Sequence, residues 1–145
     1  MHDTRRRILD TLRSETTFLC ALATIVGDGR PRVRTMRGAI DDELVLRCPT
    51  FIGTDKVDQI RANPEVHVTC GDTDSTRPGS YLQIEGRAEI STETADRLAA
   101  WNDHLAKWFS GPDDPNYAVV KVSPYRITAL PIGGGPSAEV WESER

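Results

Sequence analysis

The sequence predicts a mainly β, α+β domain: an antiparallel barrel of six to seven strands with two or three peripheral helices. Three observations lead there. Short stretches alternate apolar and polar residues at the period of two that a half-buried strand requires. The links between them are mostly of hairpin length, too short for the crossover that joins parallel strands. Helical spacing of apolar residues is confined to a few short segments, so helices are appendages to the sheet and not its layers.

The chain of 145 residues fits a single domain spanning 1–145, long enough to bury a core. Its 38% hydrophobic and 28% charged content is that of an ordinary globular protein. A net charge of −4 provides no general attraction to nucleic acid or to an anionic membrane. No apolar run approaches the roughly 18 residues of a membrane span. MHDTRRRILDTLRSE lacks the apolar core and cleavage site of a secretory signal, so a cytoplasmic location is expected. Cys20, Cys48 and Cys70 form an odd set without metal-binding or disulfide spacing, and each falls in an apolar strand pattern as a buried thiol would. No metal site is expected.

Within residues 1–15, Thr4 to Arg13 places Ile8, Leu9 and Leu12 on one helical stripe, with Arg5, Arg6 and Arg7 on a solvated face. The barrel is expected over 18–130. Phe18 to Val26 is nearly continuously apolar and reads as a strand buried on both faces. Gly27-Asp28-Gly29 is a hairpin signal leading into a basic strand. There Arg30, Arg32 and Arg34 share one face and Arg37 takes the other, because side chains alternate. Asp41-Asp42 turns the chain, and Leu44-Val45-Leu46 returns beside it. Thr54 is placed to cap a helix reaching Ala62, which Asn63-Pro64 stops.

Glu65 to Thr69 alternates as a strand, with His67 facing away from Val66 and Val68. No second histidine lies at ligand spacing, so a metal role for His67 is not expected. Gly71 to Gly79 is a polar, turn-rich loop, expected to be mobile. Tyr81 to Ile90 alternates most clearly: Leu82, Ile84, Ala88 and Ile90 face one way, and Gly86 among them signals a bulge or a close backbone approach. Ser91 or Thr92 is expected to cap a helix over 92–109, with Leu98, Trp101, Leu105 and Trp108 on its packed face. Tyr117 to Leu130 forms a long strand that Pro124 breaks or kinks. Over 131–145, Ile132-Gly-Gly-Gly-Pro136 imitates a phosphate loop, but too few residues follow for the helix and strand of a dinucleotide-binding unit. It reads as a turn before a final short strand ending at Trp141.

The chemistry concentrates between Arg30 and Lys56. An arginine strand beside a helix start that carries a lysine is a good place for a phosphate. On the residues alone, a solvent-facing basic strand with an ordinary cap is the simpler account. The chain has no G-x-S-x-G, H-E-x-x-H, Walker or C-x-x-C motif, and no pair of carboxylates stands out. Any catalysis would then rest on a cofactor, and no catalytic residue is assigned.

The ordered set FLCALATIVGDGRPRVRTM, ELVLRCPTFIGTDKVDQIRANPEVHV and YLQIEGRAEI, extended by VSPYRITAL and EVW, resembles the pyridoxamine 5′-phosphate oxidase-like flavin-binding split barrels. It is most similar to their short, general-stress-protein branch. The resemblance implies a split β-barrel homodimer with FMN at each of two subunit interfaces. By position, Arg32, Val33, Arg34, Thr35, Met36 and Arg37 would line the flavin, with Arg32 or Arg34 helping to hold its phosphate. Pro49 and Thr50 would border the ring system, and Thr54, Asp55 and Lys56 would complete the phosphate site. Tyr81, Gln83 and Trp141 would reach across from the other subunit.

The chain also departs from the family's oxidases. Thr54-Asp55-Lys56 stands where they carry Ser-Arg-Lys. Their substrate segment with Tyr and Ser-Arg-Pro, and their terminal Arg-x-His, have no counterpart. Vitamin B6 oxidase activity is therefore not expected. What the resemblance leaves is a flavin-dependent oxidoreductase using a reduced nicotinamide donor, or a non-catalytic flavin-binding stress or sensor protein. Related split barrels hold a deazaflavin coenzyme or haem, for which His67 and His104 would be the candidate ligands. Nucleic-acid binding is not expected, because the aromatics do not interleave with the basic strand.

Overall fold

The computed structural model describes residues 2–13, 17–135 and 137–144. The chain runs α1 (His2–Leu12), β1 (Phe18–Ile25), β2 (Pro31–Ile40), β3 (Leu46–Phe51), α2 (Asp55–Ala62), β4 (Glu65–Gly71), β5 (Ser80–Ser91), α3 (Thr94–Ala100), a 3-10 turn (Asp103–Lys107), β6 (Tyr117–Pro131) and β7 (Glu139–Glu142). The sheet order is β3-β2-β1-β4-β5-β6-β7, and β3 also pairs with β6. That extra pairing closes six antiparallel strands into a barrel and leaves β7 as an added strand on β6. Closure removes edges that would otherwise expose unpaired backbone groups.

The barrel interior follows the alternation in the sequence. Leu22, Leu46, Val68, Leu82, Ile84, Val122 and Ile127 are buried, and Ile8 and Leu12 of α1 join the same core. Cys20, Cys48 and Cys70 are free, buried thiols within it, as expected. The β1–β2 hairpin closes through Val26 N–H to Arg30 C=O at 2.8 Å. Its three-residue loop ends at Gly29, whose φ of +91° only glycine adopts readily.

Gly86 lies at a register shift between β5 and β6. A Cβ there would stand 2.8 Å from Ser123 O and 3.1 Å from Pro124 Cα, so the close backbone approach requires glycine. Pro124 sits opposite this bulge and does not end β6, which runs on to Pro131. A bulge is where a strand tolerates a residue without an N–H.

Four expectations need correction. First, β1 is buried on one face only. Leu19 on the other face is 58% exposed, and Ala21, Ala23 and Ile25 beside it are half-buried. A short apolar run cannot distinguish two-sided burial from one buried face and one apolar open face. Second, Leu44 belongs to the turn and not to β3. Its φ is +65° and its side chain is buried, while Asp41 Oδ1 accepts from Glu43 N and Val45 N at 2.8 and 3.0 Å.

Third, the helix expected over 92–109 is split. Ser91 Oγ donates to Asp96 Oδ2 at 2.6 Å, α3 stops at Ala100, and the Asn102 side chain accepts from His104 N at the start of the 3-10 turn. Leu98 and Trp108 consequently lie exposed, with only Trp101 and Leu105 half-buried. Fourth, Thr54 occupies the position before α2 but makes no side-chain cap. Its hydroxyl donates instead to Phe51 O at 2.9 Å. The expected turn at Ile132–Pro136 is seen as far as Gly135, and Pro136 lies outside the described residues.

Candidate functional site

The β1–β2 register sets Arg34 opposite Leu22 and Arg32 opposite Thr24, on the inner side of the hairpin, while Val33, Thr35 and Arg37 face outward. Arg34 donates to Thr24 Oγ1 at 2.7 Å and to Gln59 Oε1 of α2 at 2.9 Å. Lys56 Nζ, one turn earlier on α2, donates to Thr50 Oγ1 at 3.0 Å and Thr54 Oγ1 at 3.2 Å. All these acceptors are neutral. Among the described residues neither cation has a carboxylate partner, since Asp55 is engaged by Arg32 at 2.8 Å. The anion standing where the family's oxidases carry arginine is thus neutralised by Arg32.

Electrostatics agree with this geometry. Burial lowers the Lys56 ammonium below the usual lysine range, and the charge of Arg34 lowers it further against a partial offset by Asp55. Burial likewise lowers Arg34, with Asp55 opposing and Arg32 adding to the effect. Two partly buried cations with only neutral acceptors around them are stabilised by a bound anion.

Lys56 lines a groove of about 620 Å³, within the range of about 300–1,000 Å³ common for small-molecule sites. Met36, Arg37, Pro49 and Thr50 line it along β2 and β3. Its far wall comes from the segment after β5: Ala100, Asn102, His104, Leu105, Trp108 and Phe109, facing Phe51. Arg47 also lines the groove, bound to Asp41 at 2.7 Å and Asp96 at 2.8 Å. The Asp96–Arg47 bridge ties α3 to β3 and so fixes the wall. Burial raises the Asp96 carboxyl, but the Ser91 hydroxyl, the Arg47 guanidinium and Lys121 together hold it below the usual carboxylate range.

The remaining expected site residues lie elsewhere on this chain. Thr35 and Tyr81 line a second groove of about 490 Å³ on the outer face of the sheet, together with Leu19, Ala21 and Thr69, and Arg37 borders both grooves. Val33 is exposed on that face. Gln83 lies mid-sheet, opposite Thr69 on one side and Thr128 on the other. Trp141 pairs with Ile127 and packs against the barrel core. Within one chain Tyr81, Gln83 and Trp141 therefore do not join the Lys56 groove. His67 is exposed on β4, whereas His104 borders the groove. Among the described residues no cluster of His, Cys, Asp or Glu is placed to hold a metal, and no helix is long and apolar enough to cross a membrane.

The sequence reading missed Thr24, Gln59, Phe51 and the wall over 100–109. Thr24 and Gln59 carry no local signal, because their role exists only where β1 and α2 meet. The wall aromatics were assigned to a packed helical face that the break after Ala100 abolishes.

The chain is 30% identical over 131 residues to General stress protein 26 of Bacillus subtilis (strain 168), covering 90% of this chain and 91% of that protein. The crystal structure of General Stress Protein 26 from Bacillus anthracis str. Sterne superposes with a TM-score of 0.78 at 27% identity, covering 99% of this chain and 100% of that one. A structure named F420 Reductase superposes with a TM-score of 0.60 at 29% identity, covering 82% of this chain and 94% of that one. The sequence profile described as Pyridoxamine 5'-phosphate oxidase matches residues 8–130, which span the six barrel strands and end one residue short of the end of β6, and the chain belongs to that family.

Proposed function

We propose that the protein binds FMN in the Lys56 groove and acts as a flavin-dependent oxidoreductase on a small substrate other than a B6 vitamer. The observation that carries this reading is Lys56, a partly buried cation that lines the groove and is held by neutral hydroxyls, with Arg34, likewise held by neutral groups, near enough to lower its pKa. Such a pair fits a phosphate monoester, whose oxygens accept charge-assisted hydrogen bonds. In this reading Lys56 and Arg34 hold the phosphate, and Thr50 and Thr54 aim the ammonium. Arg32 keeps Asp55 turned from the anion. The Met36–Arg37 and Pro49–Thr50 segments floor the ring system. When bound, the flavin would supply hydride and electron transfer, with a reduced nicotinamide as donor.

The site is read as completed by a second copy of the chain. Leu19 and Val33 are 58% and 64% exposed on neighbouring strands, an apolar surface of the kind that partners cover. Pairing of two chains through this face would carry Tyr81, Gln83 and Trp141 of one toward the groove of the other.

The test is the visible spectrum of the purified protein before and after excess FMN, with the released ligand identified by mass. Bound FMN that weakens in Lys56→Ala and Arg34→Ala is the expected result, followed by anaerobic reduction with NADH or NADPH. A colourless protein indifferent to FMN overturns the reading. FMN binding without any reduction indicates a flavin-binding stress or sensor protein. A deazaflavin reading is favoured by the likeness to the structure named F420 Reductase at 29% identity. Its absorbance differs from that of FMN, and a Soret band would instead reveal haem.

A further inference from the structure

The lining of the groove has two chemically different parts. One is cationic, where Thr50 and Thr54 hold Lys56. The other is aromatic, a cluster of tilted rings that begins in the core. Phe109 lies 5.0 Å from Tyr117 and 4.7 Å from Phe51, measured between ring centroids. Tyr117 is fully buried, and its hydroxyl donates to Arg97 O at 2.8 Å, which anchors the cluster. Phe51, the outer ring of this cluster, is 42% exposed, and Trp108, which also lines the groove, is 59% exposed.

We infer that this aromatic part of the lining is a substrate subsite, distinct from the residues that hold the cofactor phosphate, for a planar aromatic molecule that is neutral or anionic. The inference rests on the flavin reading above, in which the β2 and β3 segments already floor the cofactor ring. The wall over 100–109 is then surplus to holding the cofactor and faces what lies beyond it. Planarity follows from the ring cluster, since Phe51, packed on Phe109, offers offset-stacked or edge-to-face contact to another ring. Charge follows from the lining. Arg37, Arg47 and Lys56 border the groove, and no carboxylate borders it among the described residues. Arg47 is neutralised by Asp41 and Asp96, so the uncompensated charge is that of Arg37 and Lys56. A cationic ligand would meet repulsion there, whereas an anionic one would not.

The test is calorimetric titration of FMN-saturated protein with 2-naphthalenesulfonate, a planar unreactive anion, and N-methylquinolinium, a planar cation. FMN affinity is measured in parallel on the flavin-free protein. The sulfonate should bind, and the cation at least about tenfold more weakly. Trp108→Ala should weaken the sulfonate about tenfold, as loss of an aromatic anchor does, and Trp108→Phe should recover most of it. Leu98→Ala, an exposed apolar residue outside the groove, should change nothing. FMN affinity should stay within about twofold throughout, well under the tenfold that 1.4 kcal/mol produces. Equal loss of FMN in Trp108→Ala would assign the wall to the cofactor and overturn the inference. Normal FMN binding with no sulfonate binding would overturn it while leaving the flavin reading intact. Sulfonate binding without FMN binding would overturn the flavin reading, and with it the role of this wall as its substrate side.

Discussion

At the scale of single residues, Lys56 and Asp96 show opposite uses of a partly buried charge. Lys56 lacks an anionic partner among the described residues, and its ammonium is disfavoured by burial and by Arg34. Replacing it with Ala removes an unfavourable charge, so the flavin-free protein should unfold at the same or a higher temperature. FMN affinity should nevertheless fall about ten- to hundredfold, the loss expected for a charge-assisted hydrogen bond. Because the protonated ammonium is the binding form and its pKa is lowered, FMN affinity should decline at a more acidic pH than an ordinary lysine would dictate. Lys56→Arg should abolish that decline, as titrations at increasing pH would show. Asp96 is a partnered group, bonded to Ser91, Arg47 and Lys121. Its folded pKa is lowered, so its contribution to stability is present above the unfolded carboxylate value and is lost as pH falls through the lower folded value. Asp96→Asn should cost about 3 kcal/mol in denaturant melts at neutral pH, where Arg47 keeps Asp41 but loses its buried partner. The variant should also lose that part of the acid dependence.

At the scale of elements, local chemistry and tertiary demand meet at the caps, bulges and breaks. Gly86→Ala would drive a methyl against Ser123 O and Pro124 Cα, backbone atoms of β6 that cannot swing aside. A loss of about 1–3 kcal/mol in thermal or chemical unfolding is expected, in the range of overpacked cores. Thr54→Ala tests the opposite kind of position. A capping threonine usually contributes about 1 kcal/mol, but this one makes no cap bond. Its loss should therefore leave stability nearly unchanged while weakening FMN through Lys56. The glycine bulge was legible because a glycine inside an alternating strand weakens it and so marks a bulge or a close backbone approach. The split of the expected 92–109 helix was not. Leu98, Trp101, Leu105 and Trp108 recur at helical spacing, yet the break at Trp101–Asn102 depends on contacts that spacing does not record. Ser91 and Arg47 hold Asp96, and Tyr117 receives Trp101 edge-on at 5.6 Å between ring centroids.

At the scale of the whole molecule, closing six strands into a barrel leaves an apolar outer face on β1 and β2 where Leu19 and Val33 stand. In the dimeric reading, Val33→Glu should shift the protein toward monomer in light scattering coupled to size exclusion. FMN binding should weaken with it, although Val33 does not line the Lys56 groove of its own chain. Unchanged mass with unchanged FMN affinity would leave a one-chain site as the only form of the reading. The variant should fold, because Val33 is already exposed and contributes little to the core.

The sequence by itself determined most of the strands, their antiparallel connection, the faces of the alternating β4 and β5 and the cationic stretch from Arg30 to Lys56. These follow from alternation, turn residues and loop length, which are local properties of the chain. Only the tertiary structure decided that β3 pairs with β6 to close the barrel, that Asp55 is taken up by Arg32, and that Thr24 and Gln59 hold Arg34. It also decided that Phe51, Trp108 and Phe109 meet across one groove. Each of these joins residues from separate elements, and their partners are chosen by the fit of packed surfaces, a property the spacing of residues along the chain does not encode.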